Sequence, residues 1–274
     1  MAKEDRPIEE QTDFIEDYKL LNKKFDEVKE DISVATFINQ YLQGDKFEEL
    51  RHSVRTYVEG YYAADVTKAS ILALKEEWQT SDDEQYRIEG GYKKLIGYLA
   101  FQCAERECQL FHSSAVKQID WKENEVAVKT TDNCFTANKI IIIISLGVLQ
   151  SNTIAFHLAI EDKVEAARNL GLGSVIKLVL QFTDRFWEER SNNSNKNLDE
   201  LGFVFSDQIV PTWWTQCPKK IAVLKGWLGV PHALALKDLS EEEVLQKASS
   251  SLSHIFNIDI VNLQQKLRSY KVFN

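Results

Sequence analysis

Residues Ile140 to Ile144 are five consecutive isoleucines, set between Lys139 and Ser145. Successive side chains of a strand point to opposite faces, so an unbroken apolar run predicts a strand buried on both faces. The run is far too short to cross a bilayer. Such a strand belongs inside a sheet covered on both sides. A chain of 274 residues, 44% of them apolar, has the material to bury a sizeable core.

The segments before the run read mostly as helices. Val34, Phe37, Ile38, Tyr41 and Leu42 recur at helical spacing behind Ser33, a suitable N-cap. Residues 12–31 predict a solvated helix with one narrow stripe, Phe14, Ile15, Tyr18, Leu21 and Phe25. Further helical blocks span Phe47–Gly60 and Thr67–Trp78. A polar break at Ser81–Tyr86 follows, and Gly90-Gly91 opens a helix with the stripe Leu95, Ile96, Leu99, Ala100 and Cys103. After Cys108 the period becomes two. Glu125–Thr130 alternates, Asp132-Asn133 supplies a turn, and Phe135–Lys139 leads into the isoleucines as a β-meander.

Residues 160–170 predict a helix stopped by Gly171. Strands are expected at Val175–Phe182, Gly202–Phe205, Thr212–Gln216 and Ala222–Leu228. A capping box at Ser240–Glu243 starts a helix whose buried stripe is Val244, Leu245, Ala248, Leu252 and Ile255. Strictly alternating βαβ units are missing. The fold class is therefore α+β, with helices packed on a mixed sheet.

A net charge of −9 argues against nucleic acid and anionic membrane surfaces as partners, and is compatible with a cationic small molecule. Cys103, Cys108, Cys134 and Cys217 lack paired metal-ligand spacing, and the charged N-terminal stretch has no apolar signal region. A reduced, cytoplasmic protein is the expectation. The five histidines show no metal spacing, and no G-x-G-x-x-G, P-loop, G-x-S-x-G or H-E-x-x-H motif is present.

Seven segments nevertheless fall in a shared order: Glu59–Asp65, Tyr86–Ile96, Leu146–Gln150, Leu172–Lys177, Phe182 with Phe186-Trp187, Thr212–Thr215, and Gly226–Gly229. Their sequence and spacing resemble the FAD-containing amine oxidases, which include monoamine and polyamine oxidases and the oxidase part of lysine-specific histone demethylases. The resemblance implies an α/β FAD-linked reductase type of architecture. It divides the chain into a helical first part of the substrate domain over 1–85, an FAD-domain insert over 86–150, and the rest of the substrate domain over 151–274. It implies oxidation of an amine C–N bond by hydride transfer to flavin, with peroxide released. Val116, Ser145 and Leu146 take positions that lie near FAD in relatives. Ser145 stands where the family usually has proline, and Ile143 where threonine is common. By the same resemblance the phosphate-binding glycines would lie upstream of Met1 and a second FAD segment downstream of Asn274. A small-molecule amine, and a chain carrying the missing FAD segments, are the implied partners. The lone chain is expected to be inactive and to hold FAD poorly. The alternatives are a non-catalytic homologue acting as a binding module, and an unrelated α+β domain.

Lys177 interrupts an otherwise apolar strand, so it must either snorkel to solvent or be buried beside a polar partner. The resemblance gives it the place of a lysine that meets flavin N5 through a water and assists reaction with oxygen. Trp213, Trp214 and Trp227 read either as core residues or as aromatic walls of an amine pocket, and alternation lets only one of Trp213 and Trp214 face it. Glu59, Asp65, Glu84 and Glu89 could attract a cationic amine or simply form a solvated face.

Overall fold

Ser33 opens a helix as its neighbours suggest: its hydroxyl accepts the Thr36 N–H at 3.1 Å, and Val34, Phe37 and Ile38 turn inward behind it. The computed structural model describes residues 19–80, 88–189, 198 and 200–274. Phe14, Ile15, Tyr18, the break at Ser81–Tyr86 and Glu84 lie outside them. Four helices come first: α1 (residues 19–26), α2 (Val34–Tyr41), α3 (Glu48–Gly60) and α4 (Ile71–Thr80). Their stripes share one core containing Leu21, Phe25, Phe37, Leu42, Val54 and Ile71. Lys75 ties α4 to α1 through Asp26 at 2.8 Å. Helix α4 starts four residues later than the expected Thr67. Asp65 captures both the Thr67 N–H and its hydroxyl in a tight turn, and Ser70 then takes the Ala73 N–H.

The chain divides into two compact units, one made of residues up to Gln79 together with Gly173–Asn274, the other of Thr80–Leu172. The second unit holds α5 (Tyr92–Ala104), then β1 (Val116–Lys122), β2 (Glu125–Thr130) and β3 (Cys134–Ala137), a meander in the order β3-β2-β1. Helix α6 (Leu146–Gln150), β4 (Ala155–His157) and α7 (Glu161–Arg168) follow. Strand β4 joins β1 in parallel, and the Gln150 amide donates to the Ala167 and Leu170 carbonyls. These bonds carry the unit past residue 150 to Leu172. Asp120, in β1, accepts from Lys129 at 2.7 Å, which with Gln118 holds its carboxyl below the usual carboxylate range.

Two expectations fail in this unit. The isoleucine run forms no strand and pairs with no strand among the described residues; Ile141 and Ile143 are 87% and 89% exposed. Likewise the apolar stripe of α5 buries nothing. A strand read as doubly covered needs neighbours in its sheet and a layer on each face, and none of the described residues supplies them.

The first unit resumes with β5 (Ile176–Phe182), α8 (Phe186–Glu189), β6 (Phe203–Phe205), β7 (Thr212–Trp214) and β8 (Val223–Leu228). Helices α9 (His232–Leu236), α10 (Glu241–Ile255) and α11 (Ile260–Lys266) lead into β9 (Leu267–Phe273). The sheet is antiparallel, in the order β6-β7-β8-β5-β9. Alternation holds closely: Ile176, Leu178 and Leu180 of β5 are buried, and Lys177 and Val179 are half-buried. The buried face packs with Val244, Ala248 and Leu252 of α10, whose Ser240–Glu243 capping box forms as read. Strand β9 has no counterpart among the expected elements. It joins the edge of β5 and is anchored where Lys266 reaches Asp184 at 2.8 Å.

Two glycines bring the end of α3 against this sheet. A Cβ on Gly229 would strike the Glu59 carbonyl oxygen, and one on Gly173 would strike that of Ala63. Gly229→Ala should lower stability by about 1–3 kcal/mol in urea denaturation. Gly97→Ala, where a Cβ in α5 meets open space, should raise it by about 0.5–1 kcal/mol.

Candidate functional site

The half-open face of the five-stranded sheet carries the residues singled out in the sequence. Directly opposed residues of antiparallel strands share a face. Thr212, Trp227, Lys177 and Phe273 therefore stand in one row across β7, β8, β5 and β9. The next row contains Phe203, Trp214, Lys225, Val179 and Lys271. Trp214, Trp227 and Lys177 are half-buried, while Phe203, Phe205 and Phe273 are exposed. The Phe203 ring lies 6.1 Å from that of Trp214 and stacks at 6.1 Å with Phe205. The face thus mixes aromatic residues with three lysines, of which Lys271 is paired with Glu241.

Trp213 goes the other way. It is wholly buried and opposes Gly226, whose missing side chain makes room for the indole: a Cβ there would come 2.8 Å from Trp213 Cζ3. Trp213 is a core residue and drops out of the candidate walls, leaving Trp214 and Trp227. The Trp227 indole is held firmly, since its Nε1–H donates to the Gly60 carbonyl at 2.7 Å. That carbonyl lies at the end of α3, beside the two close glycine approaches. Three of the seven sequence segments, Glu59–Asp65, Leu172–Lys177 and Gly226–Gly229, thereby meet at one place.

The Lys177 side chain makes no hydrogen bond or ion pair among the described residues. It lines neither of two concavities of this unit, one along Arg185, Thr215 and Cys217 and another around Ser253, His254 and Asn257. Phe273, in register with Lys177, escaped the sequence reading because β9 did; its residues give little period, with only Tyr270 and Val272 two apart as a signal. Of the acidic candidates, Asp65 is spent on the Thr67 turn and Glu89 is exposed. Glu59 is half-buried and lies 3.6 Å from Arg55. Burial raises its carboxyl above the usual range, with Arg55 opposing.

Val116, Ser145 and Leu146 belong to the second unit. Val116 is half-buried at the start of β1, opposite Thr130. Ser145 caps α6, its hydroxyl accepting the Val148 N–H at 3.4 Å, and Leu146 is the first helical residue. No group of His, Cys, Asp and Glu among the described residues is placed to hold a metal.

The family model described as flavin containing amine oxidoreductase matches residues 2–272. The chain belongs to this family. Its cofactor, FAD, and its oxidoreductase class agree with the resemblance read from the seven segments. Rice polyamine oxidase 3 is 28% identical over 241 residues, covering 84% of this chain and 47% of that protein. Human lysine-specific histone demethylase 2 is 30% identical over 173 residues, covering 61% of this chain and 20% of that one. The chain thus spans less than half the length of these curated relatives. Among solved structures, putrescine oxidase bound to putrescine superposes with a TM-score of 0.70 at 17% identity, over 89% of this chain and 53% of that one. Cyclohexylamine oxidase from Brevibacterium oxydans gives 0.66 at 17%, over 98% and 62%. At this identity the likeness speaks for the shared fold.

The residues present suit one side of a flavin. Lys177 stands in register between Trp227 and Phe273, and a cation set in a row with aromatic residues suits a planar ring system that gains negative charge on reduction. The given sequence contains no glycine-turn fingerprint for a pyrophosphate.

Two tests follow. Trp227→Phe keeps the ring and removes the bond to Gly60, so urea denaturation should show a loss of about 0.5–1.5 kcal/mol. A carboxyl raised on folding binds its proton more tightly in the folded state, so its contribution to stability falls as pH climbs through the carboxylate range. Glu59→Gln should therefore stabilise the protein at about pH 7 and flatten the decline between about pH 4 and 6, measured by thermal melts.

Proposed function

We propose that this chain forms the amine-binding portion of an FAD-dependent amine oxidase acting on a primary amine or polyamine. The observation that carries the reading is the unpaired ammonium of Lys177, set in one sheet row with Trp227 and Phe273. The chemistry FAD supplies when bound is two-electron oxidation of an amine C–N bond, with peroxide as the reduced product of oxygen. The chain's own residues bind, orient and keep water out. Trp214 and Trp227 offer π faces to the amine and its alkyl chain. Lys177 holds a fixed positive charge where negative charge develops, and costs no reorganisation because no protein partner must release it. Val116, Ser145 and Leu146 are the residues of the second unit proposed to lie along the cofactor. Supporting the polyamine class are the names of the rice relative and of the putrescine-bound structure, together with the net charge of −9.

On this reading the lone chain holds FAD poorly and is inactive until the remaining FAD segments are supplied. A second reading, a non-catalytic homologue, is favoured by the pair Ile143 and Ser145, which replace the threonine and proline usual near the flavin. Amine-dependent peroxide release, measured with putrescine or spermidine, separates the two. The chain with FAD alone should be colourless after gel filtration and give no peroxide. Completed with the missing segments, it should oxidise the amine, and Lys177→Met should slow reoxidation by oxygen on the order of 10²-fold. A stoichiometrically yellow lone chain, or a completed protein without oxidation, overturns the proposal.

A further inference from the structure

Helix α5 closes on a specific backbone motif. The Cys108 N–H donates to the Cys103 carbonyl at 2.9 Å, and nested inside that loop the Glu107 N–H donates to the Ala104 carbonyl at 3.0 Å. Glu107 takes the left-handed conformation between them, with φ at 59°. This nested pair of bonds is the Schellman ending of a helix. It usually carries glycine at the left-handed position, and an apolar contact between the side chains of its two outer positions often accompanies it. Here both outer positions are cysteines. The two thiols are free, Cys103 half-buried and Cys108 exposed. The Cys108 thiol donates to the Arg106 carbonyl at 3.9 Å, so it lies over the turn rather than away from it. Standard backbone dimensions and the 2.9 Å hydrogen bond hold the two Cα atoms within about 6.8 Å of one another. A disulfide spans Cα separations of about 4.4–6.8 Å.

We propose that Cys103 and Cys108 form a reversible disulfide, closed by exchange with a low-molecular-weight disulfide such as oxidised glutathione. The inference goes beyond the proposed function and takes nothing from it. Cys108, the exposed thiol, enters first. It gives its proton to solvent, its thiolate attacks one glutathione sulfur, and one glutathione thiolate leaves. The Cys103 thiolate then attacks the Cys108 sulfur of this mixed disulfide, and the second glutathione leaves. The two cysteines lose two electrons and two protons, and one glutathione disulfide becomes two thiols. The motif supplies what the second step needs, a resolving thiol already turned toward the entering one. Glu107 is the residue on which that geometry rests, because a side-chain-bearing residue seldom holds a positive φ, and here its own N–H bond to Ala104 helps keep it there. Closing the bridge fastens the end of α5 to the chain that runs on to β1.

The test equilibrates the full chain with reduced and oxidised glutathione over a range of ratios, quenches with iodoacetamide and digests with trypsin. Arg106 lies between the two cysteines, so cleavage there parts them into peptides 95–106 and 107–117 unless a bridge joins them. Mass spectrometry should find the joined pair growing with oxidised glutathione, lighter than the two free peptides by about 2 Da, and lost again in dithiothreitol. Cys134 and Cys217 should carry at most single glutathiones. Cys103→Ser should stop Cys108 at the mixed disulfide. In the Cys108→Ser chain, Cys103 should react roughly 10-fold more slowly than Cys108 does in the Cys103→Ser chain. Glu107→Pro excludes the positive φ and removes one N–H of the motif, so at a fixed glutathione ratio it should lower the bridged-to-open ratio about 10-fold or more. Glu107→Gly keeps the conformation and should bridge at least as well as the unaltered chain. The proposal is overturned if the two peptides stay separate at every ratio, if the bridges join different chains or draw in Cys134, or if Glu107→Pro bridges as readily as the unaltered chain.

Discussion

The first unit depends on the contact between the end of α3 and the two strands β5 and β8. Residues 167 positions apart are joined there by the Trp227–Gly60 hydrogen bond. Gly173 and Gly229 make it possible, because any side chain at either would meet a carbonyl oxygen. The contact joins a helical core built from the start of the chain to a sheet built from its end. It also sets the Trp227 indole, and with it the wall beside Lys177. Fold and candidate site thus share one fastening. Three of the seven family-like segments, each containing a glycine, meet at this contact.

What was legible in the sequence was what is local. Helices α2 and α10 were readable because cap and stripe sit within a few residues, and Ser33 and Ser240 both cap as expected. Strands β5 and β8 were placed too, though their alternation in burial was not, since the β5 run is apolar on both faces but for Lys177. What was not legible depended on distant partners. The sequence allowed one of Trp213 and Trp214 to face a pocket, but the choice is made by Gly226 on the neighbouring strand. Strand β9 is defined by the free edge of β5, and its own residues, with Val272 alone buried, give little period. The isoleucine run shows the opposite case: a strong local signal whose complement is not among the described residues.

The sheet of the first unit divides its labour by face. One face, holding Leu178, Leu180, Trp213 and Leu224, is ordinary core. The other keeps its aromatic residues partly open and leaves the Lys177 ammonium without a partner among the described residues. On the proposed function, this is the face against which a planar, polarisable group would be laid. The charge of Lys177 is then available from the outset, positioned by strand geometry rather than by a flexible loop.

The interruption of the first unit by the second bears on how the chain is made. About 90 residues, Thr80 to Leu172, separate α4 from the strands that α3 must meet. At ribosomal speeds of roughly 5–20 residues per second, the helices wait for roughly 5–20 seconds before β5 begins to emerge, and longer for β8. During that interval the end of α3 lacks its sheet, and the isoleucine run leaves the tunnel before anything of β5. A nascent chain of this layout is a natural client for chaperones that shield apolar segments during synthesis.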